Sequence, residues 1–583
     1  MVGWVRHCIA GQPGIVRAAL DRQPTSVRIR SCPIRPGFCR GALGVLFFLG
    51  AFGCVTGTGT VPVLGIPPAG ARPLEILIEA PADDGEEIDD AIWCPFNSPL
   101  RCGRVMPESR HVVGLRFRVP ELVGADSVLY ARLRFHSRGG LVSDEMTMVI
   151  RGALEPSSPP LSALRRPSQL PKTEAMLCQT FGDAWIAGPT ALHYYSDDVS
   201  PILNEILAQP AWGQDASALI LCIEDSCAAG AEPAYLAFAP WETSPWPVTL
   251  QICRTLEETF LAHECLARPA GTSITVAFTS LIDLEAYVEF GAGGLGSATP
   301  WVLAPGGESC HLRVEGLEPG AEYDYRLRYR RAGSDEPFAA GEIRRFRTQP
   351  APGTAFIFTT QADSHISESW IQGALEQDRL ELYEVALENV SQDEPDFHIS
   401  LGDFSLSGTA RNLIECWGQY EVQHRYLDRV LHSVPFFLVL GNHEGELRWL
   451  YELGDSMAVW SEIVRRQLFP NPYPDGFYAG CDDPAVSGSG YRESYYAWEW
   501  GDALLVALDP YWYTFEAPFH HPEPSEGGGW CWSLGQEQYE WLHDVLSASE
   551  RTWKIVMIHN LTGGIVGTGN DAYGRGGVET VDH

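Results

Sequence analysis

The chain has 583 residues, room for three or four domains, with 45% hydrophobic and 20% charged residues, which excludes a disordered or fibrous protein. Its 41 basic and 75 acidic residues give a net charge of −34, and seven of the arginines fall within residues 1–53, leaving the remainder more acidic still. Such a body repels phosphate backbones, so nucleic acid is not an expected partner. The only lysines are Lys172 and Lys554, and neither follows a glycine, which excludes a Walker A loop.

Taken in chain order, the first feature is the apolar run Gly41–Gly53, preceded by Arg35 and Arg40 and followed by Cys54. It is too short to span a bilayer, which needs about 20 residues, and has the length of a signal-peptide core. Residues 1–53 are therefore expected to be a signal peptide. Small residues before Cys54 resemble a bacterial lipoprotein site, which implies a membrane anchor at Cys54 and an exported, periplasmic or surface location. Export suits the close cysteine pairs Cys94/Cys102, Cys222/Cys227 and Cys253/Cys265, which are expected to form local disulfides.

Residues 54–73 are rich in Gly, Pro and Thr and read as a linker. From 74 to 256 short strands alternate, as in Val113, Leu115, Phe117 and Val119 and again in Leu129, Ala131, Leu133 and Phe135. This pattern predicts a β-sandwich and resembles the jelly-roll-like modules of bacterial surface proteins. Trp212 and Trp241 are its candidate platforms for a cell-surface glycan, against the plainer reading that they are core aromatics. Residues 269–350 predict a second sandwich, with Ile274, Val276 and Phe278 on one face and Tyr323, Tyr325, Leu327 and Tyr329 on another. Leu317-Glu318-Pro319-Gly320 followed by Tyr323 resembles the tyrosine corner of a fibronectin type III domain.

From residue 354 apolar strands alternate with longer helical stretches, which predicts an α/β layered domain over 354–583. Four of these strands run directly into polar residues of metal-ligand type. Ala355–Thr359 leads to Asp363-Ser364-His365, and Phe397–Leu401 to Gly402-Asp403. Phe436–Leu440 leads to Gly441-Asn442-His443-Glu444, and Ile555–Ile558 to His559. Ligands at the ends of neighbouring strands converge on one sheet edge, where α/β folds place their sites. If extended, Asp363 and His365 point the same way and grip one cation. The carboxylate of Asp403 has two oxygens and suits a bridge between two metals, while Asn442 and His559 offer neutral donors. His443, beside Asn442 and facing away from it, is free to contact a phosphate and protonate a leaving oxygen.

These motifs resemble those of the calcineurin-like metallophosphoesterase superfamily, and the preceding sandwich matches the arrangement of purple-acid-phosphatase-like enzymes. The resemblance implies a hydrolase of phosphomonoesters or phosphodiesters with two metal ions (Fe, Zn or Mn). It implies Asp363 and His365 on the first metal, Asp403 bridging, Asn442 and His559 on the second, and His443 as the catalytic acid. Two features depart from that pattern. Ser405 and Leu406 stand where purple acid phosphatases proper carry a tyrosine, and His365 is present where they have no histidine, so a tyrosinate–iron site is not implied. The family's final Gly-His-x-His does not occur before His583, so a C-terminally incomplete domain is expected, each metal short of one imidazole. The alternative function is a non-catalytic surface-binding protein whose phosphoesterase domain is vestigial.

Overall fold

The computed structural model describes residues 71–559 apart from short gaps, the longest being 181–192, 239–247 and 516–533, together with four short strands before residue 48. The chain divides into two compact units, residues 71–260 and the described residues from Leu261 onward, the latter joined by the early strands.

Among its described residues the first unit is antiparallel β, apart from the helix Ser200–Leu207 and a few single turns. The strand Ser109–Arg118 pairs with Ala218–Asp225, and Tyr130–Leu141 pairs with Thr249–Cys253. Val113, Leu115, Phe117, Ala131, Leu133 and Phe135 are buried as their alternation predicts. An unexpected strand, Asp84–Ile88, pairs with Ser109–Arg118 and buries Asp84, Glu86 and Glu87 beside buried Asp83. Trp212 is half-buried, and its indole N–H donates to the Leu122 carbonyl (3.4 Å), which ties it to the fold rather than freeing it as a platform. Trp241 lies outside the described residues.

In the second unit, the sandwich starts at Phe260–Ala267, earlier than the pattern at 269 indicates, and this strand pairs with Ser273–Ser280, which pairs with Ser309–Glu315. The facing sheet joins Leu284–Gly291, Glu322–Arg331 and Arg344–Arg347. The tyrosine corner forms: Tyr323 Oη accepts the Glu318 N–H at 2.8 Å. Polar ties join this sandwich to the α/β region, with Tyr325 Oη donating to the His432 carbonyl (2.6 Å) and Arg268 bonding Glu493 Oε1 (2.8 Å) and the Asn471 carbonyl (2.7 Å).

The α/β region is four layers, helix–sheet–sheet–helix. Its elements are β1 Phe356–Gln361, α1 Ala374–Gln392, β2 Phe397–Ser400, α2 Leu413–Leu431, β3 Phe436–Leu438, α3 Arg448–Tyr451 and α4 Met457–Leu468. They continue with β4 Ala479–Gly480, β5 Tyr496–Trp500, β6 Ala503–Ala507, α5 Gly535–Ala548 and β7 Trp553–Met557. β1, β2 and β3 are parallel, in register Phe358 with Phe397 and His398 with Phe436. In the second sheet β5 runs antiparallel to β6, and β6 parallel to β7. Strands covered on both faces must be apolar on both, which is why these read as continuous apolar runs. Between the sheets lie Phe358, Phe397, Phe437, Trp498, Trp500, Leu505 and Ile555, with Phe437 stacked on Trp498 at 4.2 Å. Tyr383, Leu387, Tyr420, Leu427 and Val464 of the helices cover the outer face of the first sheet, and Trp541, Leu542 and Val545 of α5 cover the second. The early strand Val5–Ile9 runs antiparallel to β1, and Val45–Phe47, inside the run expected to be cleaved, runs parallel to β7; the rest of that run and Cys54 lie outside the described residues.

The disulfide expectation is corrected. Cys94, Cys102, Cys222, Cys253 and Cys265 are free thiols, and Cys227 lies outside the described residues. Cys253 Sγ donates to the Glu258 carbonyl (3.2 Å), while Cys265 packs with Ala262 and Ala277 in a different core. Burial pushes the Cys102, Cys253 and Cys265 thiols up in pKa, so they behave as small protonated core residues.

Candidate metal centre

The ends of β1, β2, β3 and β7 lie together at one edge of the layered sheets, and each delivers its polar residues there. The first expectation to change is the backbone of the Asp363–His365 segment. Asp363 and His365 both have left-handed φ values (55° and 47°), so they do not share a face by extended alternation. They converge because the loop is pinned to its neighbour: Asp363 N–H donates to the Gly402 carbonyl (3.1 Å) and His365 N–H to the Asp403 carbonyl (3.1 Å). The Ser364 hydroxyl adds a bond to the Phe404 carbonyl (3.1 Å). Asp403 is left-handed too (φ 52°), and such non-glycine conformations persist only where surrounding bonds over-determine them.

Two glycines make the close approach possible. A Cβ on Gly402 would sit 2.8 Å from His559 Nδ1, and one on Gly441 would sit 2.3 Å from Asp403 Oδ1. No side chain fits at either place.

Asp403 is the centre of the arrangement. Its Oδ1 accepts the His443 N–H (2.8 Å), and its Oδ2 lies 3.1 Å from His559 Nε2, 3.8 Å from His365 Nε2 and 4.0 Å from His443 Nε2. His365 Nε2 is also 3.6 Å from Asp363 Oδ1. Two triads of donor atoms result, His365–Asp403–His443 and Asp363–Asp403–His559, each with its atoms within 4.8 Å of one another. His443 does not face away from this cluster: its ring stands edge-on to His365 at 4.8 Å. Asn442 opens the single helical turn Asn442–Glu444 after Gly441, with its side chain half-exposed. The His559 side chain is only 5% exposed, and its Nδ1 donates to the Leu401 carbonyl (2.8 Å), which aims Nε2 at Asp403.

The electrostatics follow from crowding acids and imidazoles. Burial opposes the charged form of His559, but the bond and charge of Asp403 outweigh it and raise its pKa to about 9. Burial also works against the ionised Asp403, and the charges of His559 and His443 overcome that and hold it below the usual carboxylate range. Burial lowers His443, with Asp403 pulling the other way. The ion pairs recorded for Asp403 among the described residues are all with histidines. Convergent carboxylates and imidazoles of this kind are the donor set of first-row divalent metals, so the residues present fit a cation centre.

Sequence reasoning left Glu444 without a role. It is fully buried, and its carboxylate accepts four backbone N–H groups: Asp403 (2.9 Å) and Gly441 (2.6 Å) on Oε2, Phe404 (2.9 Å) and Ser405 (3.3 Å) on Oε1. It ties the loop after β2 to the loop after β3. Burial, then the charge of Asp403, pushes it up to about 7 against those bonds. The signal was present: an acid three residues after a glycine at the start of a helical turn is the back-reaching member of a capping box.

Residues 361–579 match the calcineurin-like phosphoesterase family. No curated protein matches the chain. Among solved structures the chain is similar to PhoD, at 16% identity and TM-score 0.37, over 51% of this chain and 61% of that one. It thus spans less than two thirds of the PhoD chain. It is also similar to the purple acid phosphatase PPD1 isolated from yellow lupin (Lupinus luteus) seeds, at 14% identity and TM-score 0.36, over 78% of this chain and 70% of that one. A third similarity, to the FN5 domain of Drosophila Lar, covers 15% of this chain and 94% of that one, at 17% identity and TM-score 0.12.

Proposed function

Residues 361–579 form a calcineurin-like phosphoesterase domain, and from that premise we propose that the protein is an exported hydrolase of phosphomonoesters or phosphodiesters working through two metal ions. The observation that carries this reading is the convergence on Asp403 of histidines from the ends of three other strands, with His559 Nε2 at 3.1 Å. In this reading Asp363 and His365 would hold one cation and Asn442 and His559 the other, with Asp403 available to both. When bound, two such ions (Fe, Zn or Mn) supply Lewis acidity and lower the pKa of water.

The chain's own residues do the rest. Gly402 and Gly441 allow the loops to close on Asp403, and Glu444 holds both loops at fixed spacing. His443, half-exposed at the mouth of the cluster, contacts the substrate phosphate and delivers a proton to the leaving oxygen. Export rests on the run Gly41–Gly53 and Cys54, and replacing Cys54 by Ser should change membrane partitioning of the full-length chain in a Gram-negative host; a wild-type chain that stays soluble in the cytoplasm would end that part of the reading.

His443 gives the sharper test. His443→Ala should lower kcat on an alkyl phosphate by about 10²–10⁴-fold, the usual worth of a positioned acid. Nitrophenyl phosphate, whose leaving group barely needs a proton, should lose less. Equal losses on both would reduce His443 to a phosphate contact, and loss of bound metal would make it a ligand instead.

A further inference from the structure

Beneath the loop that carries Asn442 and His443 lies a buried ion network that the motifs do not announce. Glu446, two residues beyond Glu444, is 1% exposed and sits between two guanidinium groups. Its Oε1 accepts Arg465 Nε (2.5 Å) from α4, and its Oε2 accepts an Nη2–H of Arg492 (2.5 Å) from the segment before β5. Arg492, fully buried, also bonds Glu462 Oε2 (2.9 Å), and its guanidinium lies 3.6 Å from the ring centroid of Trp512. Trp512 belongs to the turn after β6. The carboxylate of Asp509 fixes that turn, with Oδ1 accepting the N–H groups of Tyr511 (2.9 Å) and Trp512 (3.3 Å). In the same turn the Tyr511 carbonyl accepts the Arg448 N–H (3.3 Å), and the Tyr511 ring lies 6.3 Å from that of His559.

The network therefore spans the two sheets. One end is the loop after β3 in the first sheet, and the other is the turn beside β7, the strand that carries His559. Asn442 and His559, assigned above to one cation, come from different sheets. The ring of His559 is aimed by the Leu401 carbonyl, and no bond recorded among the described residues joins it directly to the Asn442 loop. Asp363 and His365 are placed differently, by short bonds to Gly402, Asp403 and Phe404 in the adjacent loop.

We propose that Glu446, Arg492 and Trp512 are positioning residues that set the distance between Asn442 and His559, and so select for the second cation while leaving the first untouched. This rests on the two-cation reading above. The clamp acts through rigidity. A guanidinium held by two carboxylates and an indole face has one arrangement, and outer-shell groups of this kind typically govern metal affinity by about 10–100-fold.

The test is a titration of chelator-treated protein with Mn²⁺ alone, read calorimetrically, with thermal unfolding measured on the same samples. Arg492→Lys keeps the buried charge but loses the fork and the stacked plane. Trp512→Leu keeps apolar volume and removes the face, so it serves should the lysine variant fold poorly. The expected result is two Mn²⁺ constants in the unaltered protein. In both variants the constant that His559→Ala abolishes should weaken by about 10–100-fold, and the other should move by less than about 3-fold. Unchanged constants in both variants, or equal weakening of both sites in step with a lowered melting temperature, would overturn the proposal alone. A protein that binds fewer than two Mn²⁺ ions overturns the parent reading, and this one with it.

Discussion

The two units each bury a cluster of acids, and they treat it in opposite ways. In the N-terminal sandwich every recorded carboxylate partner is a cation or donor of the same unit. Asp83 Oδ1 pairs with Arg116 (2.5 Å), Glu86 bonds His111, and Glu87 accepts Arg166 Nε (3.0 Å), the Ser168 N–H (2.8 Å) and the Ser168 hydroxyl (2.6 Å). In the α/β domain Asp403 is surrounded by imidazoles that can be neutral, and Asp363 keeps 36% of its side chain exposed. The first cluster is closed and structural. The second draws its counter-charge from three histidines, whose imidazoles are also metal donors once they give up a proton, on loops held in left-handed conformations. Burial of acid is not what distinguishes a site; the convergence of several imidazoles and a part-exposed second acid on one carboxylate is.

That contrast can be broken at several points, beginning where the effect is largest. Glu444→Ala removes the acceptor of four buried N–H groups and should cost the α/β domain at least about 3–5 kcal/mol, enough to lose its cooperative melting. Calorimetry, which separates the units, would register it; an unaltered melting profile would mean the loops are held by something else. Arg116→Ala leaves buried Asp83 the longer ion pair to Arg118 Nε (3.6 Å) in place of the Arg116 bond and also leaves the Ser158 carbonyl without its donor (2.6 Å). It should destabilise the N-terminal unit by about 3 kcal/mol while metal binding is untouched.

Asp509 sharpens the comparison from the other side. Burial raises its pKa to about 6 despite Arg492 nearby, so above pH 6 the folded protein carries an ionised buried acid at a cost. Below the unfolded value of about 4 the acid is protonated in both states and the cost vanishes. Asp509→Asn keeps an oxygen for the Tyr511 and Trp512 N–H groups. It should stabilise the domain at pH 7–8 by on the order of 2–3 kcal/mol, with the gain fading as pH falls toward about 4. A melting-temperature difference that is flat with pH would contradict the assignment. The smallest effect lies in the regular sandwich, where Tyr323→Phe loses one hydrogen bond to Glu318 and should cost about 1 kcal/mol in chemical denaturation, far less than Glu444→Ala.

Much of this was legible in residue order, and for a physical reason. Strands buried on both faces read as apolar runs, so β1, β2, β3 and β7 announced themselves, and the polar residues at their ends named the site. The tyrosine corner was legible because its bond is local, five residues long. What stayed hidden depends on distant pairs. The strand Asp84–Ile88 reads as a charged loop until Arg116, His111 and Arg166 arrive from elsewhere. Glu446 looks like a surface acid until Arg465 and Arg492 enclose it. The left-handed turns at Asp363 and His365 were hidden for the same reason, since the bonds that impose them come from Gly402 and Asp403.

The central claim is that Asp403 is the one residue shared by two cations. The most direct measurement is metal content by mass spectrometry of the purified protein and of Asp403→Asn and His365→Ala, alongside their melting temperatures. Loss of the shared anion would weaken the shielding between two dications, which in two-metal sites stand about 3.5–4 Å apart. The account expects Asp403→Asn to fold, because its Oδ1 acceptor for the His443 N–H is retained, yet to lose most of both metals, while His365→Ala loses one. Undiminished two-metal occupancy in Asp403→Asn would contradict it.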